Sequence, residues 1–148
     1  MNNSYDLIPP SSSTLLFFGI LVLLLTTIPV FFAWAAFKSL NTSVKLENNH
    51  LILDTALYGR ALPISEIRVQ EIKIIEINKG SSFEPKWRTN GFGLPGLQLG
   101  WFRLQNGEKA LLALTNRKRV VYIPTKNEYS LIISVQSPEH LIASLKSQ

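Results

Sequence analysis

The pattern of apolar and polar positions divides the chain into two parts of different character. From Thr14 to Phe37 it reads TLLFFGILVLLLTTIPVFFAWAAF, 24 residues without a charged side chain. As an α-helix this run is about 36 Å long, against a bilayer hydrocarbon core of about 30 Å. The spacing therefore predicts a transmembrane helix over 14–37. Thr26 and Thr27 can return their hydroxyls to backbone carbonyls, and a membrane helix tolerates Pro29 where freed groups are satisfied locally. Phe31, Phe32, Trp34 and Phe37 crowd the C-terminal end, where an interfacial aromatic belt belongs. Residues 1–13, with Pro9-Pro10 and Ser11-Ser12-Ser13, read as a disordered tail.

Beyond a short linker at 38–43 the period falls to that of strands. Val44–Leu46 and His50–Leu53 flank a turn at Glu47-Asn48-Asn49, where Asn tolerates left-handed backbone angles. Leu57–Ile64 reads as an edge strand, because Pro63 cannot donate to a ladder. Val69–Ile77 is rich in β-branched residues, with one wet face. Asn78–Gly96 holds four glycines and two prolines and reads as a long loop. Gln98–Leu104 and Lys109–Thr115 surround Asn106-Gly107, the strongest short hairpin signal. Val120–Ile123 and Ser130–Val135 are further strands. At the end the period lengthens. Ser137 can cap a helix, Pro138 suits its first position, and Leu141, Ile142 and Leu145 share one face. The expected fold class is mainly β: one transmembrane helix, then a domain over 44–148. That domain is a small barrel or roll of about seven strands, closed by a helix at 138–147.

Charge sets the orientation. The N-terminal flank carries Asp6 and no cation, whereas Lys38 and Lys45 follow the apolar run, so the N-terminus is expected outside and the domain in the cytoplasm. The competing reading is a signal peptide cut after Ala33-Trp34-Ala35, which would release a secreted or periplasmic domain. Against it stand an apolar run longer than the usual signal core and the lack of a positive leading segment. Residues 38–148 carry all 15 Lys and Arg against 9 Asp and Glu, a formal charge of +6. A tethered basic domain is drawn to anionic headgroups. No nucleic-acid motif accompanies the charge, so nucleic acid is not an expected partner. With no cysteine, disulfides, thiolate metal sites and cysteine nucleophiles are excluded.

The stretch RTNGFGLPGLQLGWFRLQNGEKALLALT from Arg88, the later YIPT, and the helix after Ser137-Pro138 together resemble the bacterial PH-like (pleckstrin-homology-like) domain family. The resemblance covers roughly 44–147. It implies a PH-like β-barrel and membrane association, and no catalytic residue. A typical PH domain takes phosphoinositide through basic residues of its first strand loop. Here that loop is Glu47-Asn48-Asn49-His50, without Lys or Arg, so that site is not carried over.

Two candidate sites remain. Arg117-Lys118-Arg119 is the densest basic cluster. With Lys86 and Arg88 it is the candidate contact for anionic lipid, the bland alternative being a solvated turn. The segment around Trp87, Asn90, Gly91, Phe92 and Gly93 is the candidate binding loop, the alternative being a compact structural loop. It lacks the Gly-Lys-Ser/Thr ending of a phosphate loop. Trp101 beside Phe102 reads as core or barrel wall. His50 and His140 lack a second histidine at ligand spacing, so no metal or other cofactor is expected. No serine elbow and no acid–base pair stands out. The function these features suggest is a non-catalytic, single-pass, membrane-tethered binding or scaffolding module. Its expected partners are the bilayer, anionic phospholipid headgroups and a membrane protein. The alternatives are a lipid-acting enzyme or enzyme subunit, and a structural subunit of a membrane complex.

Overall fold

The computed structural model describes residues 11–40, 42–55 and 57–148, apart from the side chains at 35, 36 and 38–40. The tail expected over 1–13 lies outside the described residues as far as residue 10. The chain forms two compact units, 1–37 and 38–148.

Helix α1 spans Ser12–Leu40, so it begins before the apolar run and continues through the first positions assigned to the linker. Thr26 Oγ1 donates to the carbonyls of Val22 and Leu23, each at 3.0 Å, and Thr27 Oγ1 to that of Leu23 at 2.8 Å. Each hydroxyl is thereby hidden on its own helix. Large apolar side chains from Leu15 to Phe37 are exposed all round it. A helix apolar on every side has no face suited to water. Residues Ser12–Trp34 are long and apolar enough to cross a membrane.

Among the described residues the second unit holds nine strands, where the hydropathy pattern predicts about seven. Strands β1 (Ser43–Glu47), β2 (His50–Asp54) and β3 (Arg60–Pro63) form an antiparallel sheet in that order. The β1–β2 turn is Asn48-Asn49, with φ of 49° and 62°, and Glu47 faces His50 across it. Strand β3 is an edge, as Pro63 requires. The remaining strands are β4 (Lys73–Ile75), β5 (Pro85–Leu94), β6 (Leu97–Leu104), β7 (Lys109–Leu114), β8 (Val120–Pro124) and β9 (Ser130–Ile133). They form a second sheet in the order β4-β8-β9-β7-β6-β5, with β7 and β9 parallel. The described strands make two sheets and no closed barrel; a single bridge, Ile67 to Thr125, links the segment after β3 to the second sheet.

Two segments depart from the sequence reading. The strand expected over Val69–Ile77 shrinks to β4, because 3-10 turns at Ile64–Glu66 and Val69–Glu71 interrupt it. These turns let Ile64, Ile67 and Ile72 all reach the main core, a spacing that a regular strand cannot supply. The loop expected over Asn78–Gly96 contains the ten-residue strand β5. Across its ladder Gly91 faces Gly100. A Cβ on Gly91 would stand 2.4 Å from the Leu99 carbonyl oxygen, and one on Gly100 2.5 Å from that of Asn90. The glycines that suggest a loop are what permit these backbones to pair.

The second sheet is buried on both faces at its centre. Leu99, Leu111, Ala113, Leu131 and Ile133 point into the main core with Leu51, Leu53 and Leu62 of the first sheet. Phe102, Leu104, Leu112, Leu114 and Ile132 point the other way, beneath Ile77 and Phe83. Strands covered on both faces read as unbroken apolar runs, which explains ALLAL in β7 and SLII in β9. Helix α2 (Pro138–Lys146) adds Leu145 to the main core, with Leu141 and Ile142 packed beside it. Ser137 sits at its N-terminus but makes no side-chain cap hydrogen bond.

Candidate binding surface

The basic turn between β7 and β8 is exposed throughout, from Thr115 to Arg119, but its three cations are not equivalent. Arg119 pairs with Glu139 at the start of α2. Arg117 Nη2 donates to Gln98 Oε1 at 3.0 Å, which ties it to the start of β6. Lys118 makes no ion pair among the described residues. Lys86 and Arg88 lie on β5, not in this turn. Arg88 is opposite Phe102, about 13 Å along β6 from Gln98. By backbone position the five candidate cations thus fall into two groups, but the Arg88 guanidinium reaches back to Gly93, which pairs with Gln98.

The candidate binding loop is a strand. Trp87, Asn90, Gly91, Phe92 and Gly93 all lie on β5, one of the two outer strands of the second sheet, with register shifts at Pro85/Trp87 and Arg88/Asn90. Trp87 is exposed, with Lys86 Nζ 5.1 Å from its ring centroid. Asn90 Oδ1 accepts from the Tyr58 hydroxyl at 3.0 Å, and Phe92 meets the Tyr58 ring edge-on at 6.3 Å. Two of the five residues therefore seat the turn between β2 and β3.

A third constellation is scattered in sequence and assembled only by the fold. Trp101 on β6 is half-buried. Two cations approach its ring: the Arg60 guanidinium, 5.3 Å from the centroid, and Lys109 Nζ, at 4.6 Å. Tyr129 meets the indole edge-on at 5.1 Å, and its hydroxyl accepts from Arg60 Nη1 at 3.3 Å. Neither cation forms an ion pair among the described residues, and an indole face is the strongest of the aromatic partners for a cation. Trp101 and Phe102 alternate across the strand, so only Phe102 is core; Trp101 belongs to the wall.

Lys109 and Tyr129 continue into a polar cleft of about 550 Å³ between the β6–β7 turn, the β8–β9 turn and the second 3-10 turn. Arg68, Arg103 and Lys109 line it, as do Glu71, Glu108 and Glu128. The Tyr122 hydroxyl donates to Glu108 at 3.0 and 3.2 Å. Burial, then Glu108, push the phenol up to about 12. The cleft is balanced in charge, so it lacks the focused field of an ion site.

His50 is occupied locally, its Nδ1 2.8 Å from the Asn48 carbonyl oxygen. No group of three His, Asp or Glu suited to a metal occurs among the described residues. The model of the family described as Bacterial PH domain matches residues 42–148. No curated protein matches the chain, and no solved structure does. The match covers most of the chain and shows its family: the chain belongs to the bacterial PH domains.

Proposed function

From that membership we propose that the protein is a non-catalytic binding or scaffolding module, held at the cytoplasmic face of the cell membrane by α1. The observation that carries this reading is the position of a long, predominantly apolar, unburied helix ahead of a domain of this family. Domains of this type are generally binding modules rather than catalysts. Lys38 and Lys45 on one flank, against Asp6 on the other, support an outside N-terminus. Within the basic turn Arg117 and Lys118 are the cations left for anionic lipid, and Lys86 and Arg88 on β5 join them, each worth up to about 1 kcal/mol near the surface. Arg119 is committed to Glu139. The Arg60–Trp101–Lys109 cluster is a second surface for an anionic partner, a headgroup or a segment of a membrane protein.

The test is fractionation of the full chain with a reporter after Gln148. The protein is expected to stay with membranes through high-salt and carbonate washes, and a cytoplasm-dependent reporter is expected to be active. An alkaline phosphatase fusion active at that position would reverse the orientation. A mature chain beginning at Ala36 would replace the anchor by a cleaved signal.

A further inference from the structure

We propose that one end of the domain is a lipid-inserting pole. Its exposed Leu57 and Leu94 enter the headgroup–acyl boundary, while Arg117 and Lys118 meet anionic headgroups beside them. This rests on the membrane-anchored reading above and adds which surface touches lipid.

Among the described residues, three large apolar side chains of the domain are exposed: Leu57 at 47%, Trp87 at 57% and Leu94 at 58%. The two leucines belong to one end, linked through a chain of contacts. Ser43, the first residue of β1, pairs with Asp54, the last of β2. Leu57 lies in the turn that follows. Its neighbour Tyr58 meets Phe92 and Asn90 of β5. Leu94 is two residues beyond Phe92 and closes the ladder opposite Leu97. Gln98 then holds Arg117, and Leu94, Pro95 and Gly96 share a small cleft with Asn116 and Arg117.

Leu57 lies in the turn before β3, and Leu94 ends β5 at the turn into β6. The Tyr58 amide donates to Thr55 Oγ1 at 3.0 Å, and Gly96 takes a φ of +77°. The backbone thus presents apolar side chains to solvent at the rim of a cationic surface, the composition of an interfacial lipid contact. Arg88 adds to that surface: Nη1 lies 3.5 Å from the place of a Cβ on Gly93. Asp54 and Glu76 are brought to this end by strand pairing and the Ile77-to-Arg117 hydrogen bond, and Glu139 is there too, matched by Arg119. Arg88, Arg117 and Lys118 outnumber Asp54 and Glu76. β1 begins three residues after α1 ends, a chain reach of about 10 Å. That short reach favours a bilayer, rather than a soluble protein, as the occupant.

The chain has no cysteine, so single-site labelling needs no background removal. The full chain carrying Leu57→Cys, Leu94→Cys, Trp87→Cys or Lys126→Cys is labelled with an environment-sensitive dye. Each is reconstituted into vesicles of equal parts phosphatidylcholine and phosphatidylglycerol, with a spin-labelled lipid as quencher. Dyes at 57 and 94 are expected to shift to the blue and lose emission to the quencher; those at 87 and 126 are expected to do neither. Adding Arg117→Ser and Lys118→Ser is expected to weaken quenching at 94 in these vesicles, but not in vesicles of phosphatidylcholine alone. Unquenched dyes at 57 and 94, or equal quenching at 87, would overturn the pole. Unchanged quenching in the double serine variant would remove the cations from it. Flotation of the same vesicles reads the anchor separately. Protein that floats with quencher-insensitive labels at 57 and 94 refutes only the pole, whereas protein that does not float refutes the anchored reading itself.

Discussion

Tyr122 holds its proton more tightly than a free phenol because burial strips water from the phenolate, and because Glu108 accepts from the hydroxyl through both carboxylate oxygens. Its pKa rises from 10.0 to about 12. The fold therefore favours the protonated form. That contribution is fully present below the unfolded value and is lost as pH climbs from 10.0 to about 12. A phenolate absorbance titration should show one late component that disappears in Tyr122→Phe, and the alkaline loss of stability should be shallower in that variant. Backbone approach gives a second residue-scale prediction. Gly100→Ala must push a Cβ against the Asn90 carbonyl and Gly91 Cα, each at 2.5 Å, at a φ of +116°. Overpacking of this kind costs about 1–3 kcal/mol, with the left-handed strain in addition. Gly96→Ala meets nothing within 4 Å and carries only the strain, about 1–2 kcal/mol. Denaturant midpoints of the full chain in detergent should fall in that order.

At the scale of elements, α2 is held by one buried leucine more than by its ion pair. Leu145 is 1% exposed in the main core, so Leu145→Ala should cost about 2–5 kcal/mol. Arg119 and Glu139 are 65% and 62% exposed, and breaking such a pair with Glu139→Gln should cost under about 1 kcal/mol. Equal midpoints for the two variants would show that α2 is not seated by its apolar face. The same contrast between local and long-range causes decides which elements can be read from sequence. The Asn48-Asn49 and Asn106-Gly107 turns announce their hairpins, because left-handed backbone angles are a local property of those residues. Strand β5 has no such mark. Its residues from Lys86 to Asn90 are all exposed, so no alternation records a buried face, and its extended form is imposed by β6. The exposed Lys86 and Arg88 and the register shifts also blunt this edge against pairing with other chains. The Arg60–Trp101–Tyr129 contacts span up to 69 positions, and no spacing rule could have joined them. Trp101 was legible as core or wall, but not as a ring approached by two cations.

At the scale of the whole molecule, the two units are built for different solvents. The main core runs from Leu51 to Leu145 and the second cluster from Ile77 to Ile132, so the apolar burial that stabilises the domain comes from residues after the linker. The exposed apolar side chains of α1 contribute no member to either cluster. A domain of 111 residues is large enough to bury a core unaided. A chain starting at residue 42 should therefore fold in water, and its urea midpoint and slope should match those of the domain within the full chain in detergent. The slope is the more telling reading, since it scales with surface exposed on unfolding. A smaller slope for the shorter chain would mean that part of the core depends on α1. The full chain, by contrast, should require lipid or detergent, because a helix apolar on all sides lowers its free energy only in a medium that matches it. If both outcomes hold, the anchor confines the domain to a surface without stabilising it, and variants of the domain can be ranked for folding in water before their lipid contacts are measured in membranes.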